Sequence, residues 1–351
     1  MRNGSPLEER DDPVKGQEHG YAIVPRMTTT ATEALAPEVF DEAYRRVAPR
    51  VHRTPLLRST SLSNSTGYDV WLKAELFQRT GSYKVRGPSN RLPQLSKDEQ
   101  RAGVICSSAG NHAQGVAYAA AQLGIPATVL MASNATPAKI AATRSYGAEV
   151  ILHGTIWDEA NAEAMRLMDE RGLTFIHPFD DLQLIAGQGT LGLEILEDAP
   201  DADMVIVPIG GGGLISGIAA AIKGRRPEVG IVGVESTGAP AMTLSVERGE
   251  LITLDENHCA IDGLKVMRVG EKTFSIVSDL VDTLVTIDDA RIFDAVLWTM
   301  SRCKLVVEGA AAAPVAALLE GRVEAEPGSK VVCVLSGGNL DLEQLRGRVL
   351  N

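Results

Sequence analysis

Aromatic side chains make up only 4% of the 351 residues, and neither sign of charge is clustered. Without a basic block, or aromatic residues interleaved with Lys and Arg, the electrostatic footprint of a nucleic-acid binder is missing. The net charge of −11 is spread along the chain and favours solubility. Only four cysteines occur, Cys106, Cys259, Cys303 and Cys333, far apart and with no C-x-x-C pair. Neither a zinc knot nor a disulfide framework is expected, and a reducing cytoplasm fits best. No apolar run reaches the roughly 20 residues needed to cross a bilayer. The longest, 310–319, contains Pro314 and reads as a buried helix. Residues 1–26 mix charges, Gly and Pro without the apolar centre of a secretory signal. Residues 1–33 are therefore expected to form a flexible extension, with Met27 a candidate natural start.

What the chain does have is 44% hydrophobic residues, enough for two lobes, arranged in a regular alternation. From Val70 onward, short β-rich runs (104–107, 127–131, 205–208, 231–235 and 331–335) alternate with Ala-rich segments of helical period. Those segments lie near 112–123, 137–146, 157–171, 187–198, 214–224, 288–303 and 307–320. This pattern predicts βα units, hence an α/β fold with mostly parallel sheets flanked by helices. In such folds ligands gather where strands end and loops meet.

Three strand-to-helix junctions carry the chemistry. At Gly210, Gly211, Gly212, Gly213 and Leu214, the strand MVIVP passes into the helix LISGIAAAIK. Glycines let the backbone approach an anion, while the helix start offers free N–H groups and the positive end of its dipole. The same run also reads as a tight turn, and without G-K-[ST] it is no P-loop. At Ser107, Ser108, Ala109, Gly110, Asn111 and His112, hydroxyl, amide and backbone donors stand at another helix start. They suit a carboxylate, or they simply cap the helix. In Gln78-Arg79-Thr80-Gly81-Ser82-Tyr83-Lys84-Val85-Arg86-Gly87, Lys84 lies near a third helix start. A lysine held partly deprotonated there suits Schiff-base chemistry, although most lysines are solvated charges. The strand KVVCVL ends in Ser336-Gly337-Gly338-Asn339, a turn with a hydroxyl at the strand terminus.

In this order and spacing the segments resemble the fold-type II pyridoxal 5'-phosphate (PLP) enzymes, tryptophan synthase β-like in fold, and within them the threonine/serine dehydratase and serine racemase branch. The resemblance runs from Thr54-Pro55-Leu56 to Asp341. It includes Lys73-Ala74-Glu75, His177-Pro178-Phe179-Asp180-Asp181, Ala186-Gly187-Gln188-Gly189-Thr190, Asp262-Gly263 and Val307-Glu308-Gly309-Ala310. It implies that Lys84 forms the Schiff base with PLP and that Asn111 meets the cofactor's 3'-oxygen. It places the phosphate on Gly210–Gly213 with Leu214, the pyridine nitrogen at Ser336, and the substrate carboxylate on 107–112. A small lobe, 103–180, would sit within a large PLP-binding lobe, 34–102 plus 181–351, and close over substrate. The implied activity is α,β-elimination from L-threonine or L-serine, giving a 2-oxo acid and ammonia. The partners would be a small amino-acid substrate, with no nucleic acid or membrane, and the enzyme would be a homodimer or higher homo-oligomer.

The chain also departs from its family. Tyr83 stands where Phe is usual and Pro88 where Ala is usual, so a late or kinked helix is expected beside Lys84. Glu235 matches the first residue of the family's cation site, but Ala241 replaces the racemases' Asp. Glu235 and Ala239 are thus candidates only for a weak divalent or a monovalent cation. In the racemases a Ser lies two residues before the Asn, where this chain has Ala109. With only ten residues after Asp341, the C-terminal regulatory domain of biosynthetic dehydratases, and feedback through it, is not expected. Other readings are serine racemase and a dehydratase for 3-hydroxyaspartate or a hydroxyectoine-derived compound. A cofactor-bearing regulator without turnover and a nucleotide binder using the glycine run are further alternatives.

Overall fold

The computed structural model describes residues 22–23 and 30–346. Most of the expected flexible extension, with Met27, lies outside the described residues. Within it, Ala22–Ile23 pairs as an edge strand and Thr30–Glu33 forms one helical turn.

The described strands are β1 (Ala22–Ile23), β2 (Leu56–Arg58), β3 (Asp69–Ala74), β4 (Val104–Ser107), β5 (Ala127–Met131), β6 (Glu149–Leu152), β7 (Thr174–Phe175), β8 (Met204–Pro208), β9 (Gly230–Ser236), β10 (Thr283–Ile287) and β11 (Lys330–Leu335). Seven form one sheet in the order β1-β10-β9-β8-β11-β3-β2. Its five inner strands are parallel, and the edges β1 and β2 pair antiparallel. The other four form an all-parallel sheet, β6-β5-β4-β7. Both are the mostly parallel sheets that the alternation predicts.

Parallel strands covered by helices on both faces are apolar along their whole length. β4, β5 and β11 obey this: every residue of β4 and β5 is buried, and in β11 only Lys330 keeps surface. The helices follow the expected segments closely, as in Asn111–Leu123, Trp157–Arg171, Gly213–Lys223 and Asp289–Cys303. Pro88 causes no break, because the helix Arg86–Arg91 starts just before it. Its missing N–H therefore falls in the first turn, where helical N–H groups have no intrahelical partner.

Between β3 and β8 the chain leaves the large sheet, builds the small one and returns. The C-terminal ends of β3, β4, β8 and β11 consequently feed loops into one crevice, the usual ligand position in open α/β sheets.

Candidate active site

The loops after β3 and β11 are stitched together by backbone. Tyr83 N–H donates to Ser336 O (3.0 Å), Gly338 N–H donates to Gly81 O (2.8 Å), and Ser82 bridges Gly337. This brings Ser336, buried at the end of β11, beside the Lys84 segment. Lys84 follows in a 3-10 turn, Tyr83–Val85, and its Nζ donates to Pro178 O at 2.9 Å. Enclosure pushes this amine down to about 8, against a weaker opposing pull from Glu308. Desolvation disfavours the ammonium, which is what an amine needs to attack a carbonyl near neutral pH.

The glycine turn lies where the sequence places it, at the start of Gly213–Lys223. Gly212 adopts φ +90°, a left-handed conformation that favours glycine. A Cβ on Gly211 would collide with the Phe179 ring, so the HPFDD segment presses directly on the turn. Thr273 Oγ1 donates to Gly211 O (2.8 Å) and holds the turn from the other side. The side chain of Gln188 is fully buried against Gly213, and neither of its amide atoms has a partner among the described residues. A buried amide without a partner is costly, and this one sits at a helix N-terminus suited to an anion.

In the loop after β4, Ser107 is buried with its Oγ unpaired among the described residues, while Ser108 Oγ accepts from Gly110 N–H (3.2 Å). Ala109 keeps part of its surface open. His112 Nε2 meets Ile176 O at 2.9 Å; a carbonyl only accepts, so Nε2 carries the hydrogen and Nδ1 is left an acceptor. Burial, reinforced by the Lys84 charge, pushes His112 down to about 3, so its ring is neutral. The His112 ring is thus turned toward the Ile176 backbone, leaving hydroxyls and backbone N–H groups as the loop's donors.

Asn111 joins the sheets. Its Nδ2 donates to both Glu308 oxygens (2.8 and 3.0 Å), and its Oδ1 accepts from Asn339 Nδ2 (2.8 Å). Burial raises the Glu308 carboxyl to about 7, Asn111 opposing. Glu308, Gln188 and Asn339 received no role from the sequence, although each lies in a quoted motif. Their partners are remote in sequence, and the one local signal was an acid directly before an Ala-rich helix.

The structure sets Glu235 apart from this group. Its buried carboxylate accepts from Met242 N–H (2.9 Å), Thr243 N–H (2.7 Å) and Thr243 Oγ1 (2.6 Å) at the start of the helix Ala241–Arg248. Ala239 is buried nearby in sequence. Among the described residues no group of three His, Cys, Asp or Glu could hold a metal ion, and no helix is long and apolar enough to cross a membrane.

An amine of lowered pKa, a glycine-lined helix start and an unpaired amide beside it fit an aldehyde that carries a phosphate, as PLP does. The comparisons agree. Residues 47–337 match the model of the pyridoxal-phosphate dependent enzyme family. An L-threonine ammonia-lyase of Thermotoga maritima is 46% identical over 90% of this chain and 78% of its own. An L-threonine dehydratase, catabolic TdcB, of Escherichia coli K12 is 44% identical over 87% of this chain and 93% of its own. A processed threonine deaminase isoform 2 from Solanum lycopersicum superposes with a TM-score of 0.87 at 34% identity, covering 95% of this chain and 97% of its own. A maize serine racemase gives 0.86 at 38% identity, covering 90% and 97%. With matching residues that span most of its length and a crevice chemically suited to the cofactor, this chain belongs to the pyridoxal-phosphate dependent enzyme family.

Proposed function

We propose that the protein is a threonine/serine ammonia-lyase, converting L-threonine and L-serine to a 2-oxo acid and ammonia. The carrying observation is Lys84, whose amine is held near a pKa of about 8 amid the glycine turn, the Asn111 loop and Ser336. In this reading Lys84 would hold the cofactor aldehyde and, with substrate bound, its amine would take the α-proton. Gly210–Gly213 and the first turn from Leu214 hold the phosphate, with Gln188 an added amide donor. Asn111 would meet the 3'-oxygen and Ser336 the pyridine nitrogen. PLP supplies the electron sink for the bond pair left when the α-proton departs.

The substrate carboxylate falls to the donors of 107–111, of which the Ser107 hydroxyl lacks a partner among the described residues. Ser336 is neutral and cannot keep a pyridine nitrogen protonated as a carboxylate would. With such a neutral partner, bound PLP would be a weaker electron sink than one paired with a carboxylate, which suits elimination of a β-substituent. The residues 103–180 are read as a small lobe that moves over substrate. The ties Asn111–Glu308 and Lys139–Asp262 (2.7 Å) join elements of the two sheets and are contacts that such a movement would make and break. Assembly as a homo-oligomer and a cytoplasmic location complete the reading, the first checked by sedimentation.

The test is a 2-oxo acid assay over L-threonine, L-serine and 3-hydroxyaspartate, with borohydride reduction and peptide mapping. Threonine should turn over fastest and the pyridoxyl group should lie on Lys84. A label on another lysine, or turnover confined to 3-hydroxyaspartate, would sink the proposal.

A further inference from the structure

Hydrogen-bond logic fixes the Asn111 amide one step at a time. Thr80 O can only accept, so the Asn339 atom facing it at 2.8 Å is Nδ2. That same nitrogen faces Asn111 at 2.8 Å, so Asn111 must present Oδ1 to it. The Asn111 nitrogen then points to Glu308, whose carboxylate accepts it through both oxygens. Asn111 starts a helix of the small sheet, whereas Glu308 and Asn339 flank the large one. Glycine makes room for this arrangement, since a Cβ at Gly337 would lie 2.5 Å from Glu308 Oε1.

We infer that Glu308, assisted by Asn339, is a positioning residue that holds the Asn111 amide with its nitrogen turned inward. An amide NH2 carries two hydrogens, so one can stay on Glu308 while the other is offered to a cofactor oxygen. Were the amide to flip, its carbonyl oxygen would face that oxygen instead and repel it. Nothing in the family match assigns Glu308 this task, and the inference rests on the reading of Asn111 as the partner of the 3'-oxygen. The charged groups acting on Glu308 are Asp262, Lys139 and Lys84. Asp262 opposes ionisation, Lys139 and Lys84 favour it, and enclosure outweighs them, bringing the carboxyl to about 7. The amide clamp is therefore strongest once Glu308 is ionised, above that pH.

The experiment measures PLP affinity of the full chain and the pH profile of the bound cofactor's visible absorbance. The variants are Glu308→Gln, Asn339→Ala, Asn111→Ala and the double variant Glu308→Gln/Asn111→Ala. Glu308→Gln should weaken PLP roughly three- to tenfold, as exchanging a charge-assisted hydrogen bond for a neutral one does. The parent's absorbance should change between about pH 6 and pH 8, and Glu308→Gln should flatten that change. Asn339→Ala should weaken PLP less and leave the pH profile in place. On an Asn111→Ala background, Glu308→Gln should add nothing, since its effect passes through Asn111. Full additivity, or a Glu308→Gln variant with the parent's affinity and pH profile, overturns the inference while leaving the PLP reading intact. If the parent carries no pyridoxyl group on Lys84 after reduction, the underlying reading fails and the inference with it. Should Glu308→Gln not fold, Asn339→Ala decides: an affinity equal to the parent's overturns the clamp.

Discussion

Lys84 and Arg86 are two residues apart and have opposite environments. Arg86 is fully buried, and its guanidinium meets Glu75 at 2.7 and 2.8 Å and Glu194 at 2.8 and 3.0 Å. Glu194 also pairs with the buried Lys73 (2.9 Å), and Thr54 Oγ1 donates to Glu75 (2.5 Å). Every charge in this cluster has a partner, as buried ions require. Around Lys84 and the glycine turn, by contrast, Ser82 Oγ, Ser107 Oγ and both amide atoms of Gln188 have none among the described residues. Buried polar groups are ordinarily satisfied, so a cluster of unsatisfied ones marks where a ligand completes the structure. The Arg86 network holds the fold; the Lys84 crevice is built for what binds there.

Replacing Lys84 with Met should have the largest effect and should move activity and stability in opposite directions. Turnover should fall at least about a thousandfold, because both the cofactor link and the base are lost. Folding lowers this amine's pKa from 10.5 to about 8, so its stability contribution is present above pH 10.5 and lost as pH falls through about 8. The parent apoprotein at pH 7 therefore carries a penalty that Met removes, on the order of 1–2 kcal/mol given the partial exposure of the site. Urea melts of both apoproteins at pH 7 and pH 10 test this; a Met variant less stable than the parent at pH 7 would contradict the assigned environment.

Arg86→Met should do the reverse. It leaves Glu75 buried without its ion partner and strips Glu194 of one of two cations. Breaking a buried network this way costs about 3–5 kcal/mol. The urea midpoint of the apoprotein should drop accordingly. Replacing Arg86, Glu75 and Glu194 together by apolar residues of similar size should recover part of the loss. A single substitution that leaves the midpoint unchanged would show that the network contributes little to the fold.

The same contrast explains what the sequence made legible. The alternation of apolar runs reports burial on both faces of parallel strands, so β4, β5, β8 and β11 could be placed within a residue or so. Lys84, Asn111 and the glycine run stand at strand-to-helix junctions, which local pattern also reveals. Pairings across distance left no local mark. Arg86 joins Glu75 and Glu194 from different elements, and Asn111 meets Glu308 and Asn339 from the far end of the chain. Nor does pattern tell that the three hydrogen bonds to Glu235 come from the helix start beside it. Pro88 did announce a late start for its helix: the chain runs through the 3-10 turn Tyr83–Val85 and becomes α-helical only at Arg86, so the proline falls in the first turn and no kink is needed.

The smallest expected effect sits at Ala109, beside the unpaired polar groups of the crevice. Racemisation needs a proton donor on the face opposite Lys84, because a single base tends to return the proton to the side it took it from. The methyl of Ala109 carries none. Ser108 Oγ is drawn onto the Gly110 N–H, which fixes its position one residue away from Ala109, and Ser107 Oγ is buried one residue further back. A hydroxyl displaced by about 1 Å can lose roughly 100-fold in rate. L-serine should therefore give pyruvate with little D-serine, and Ala109→Ser should raise the D-serine share several-fold while elimination changes by less than about threefold. Chiral chromatography of residual serine, run beside the pyruvate assay, reads both. D-serine forming as fast as pyruvate in the parent would place the second proton donor elsewhere in the crevice. It would also move the protein's proposed activity from elimination to racemisation.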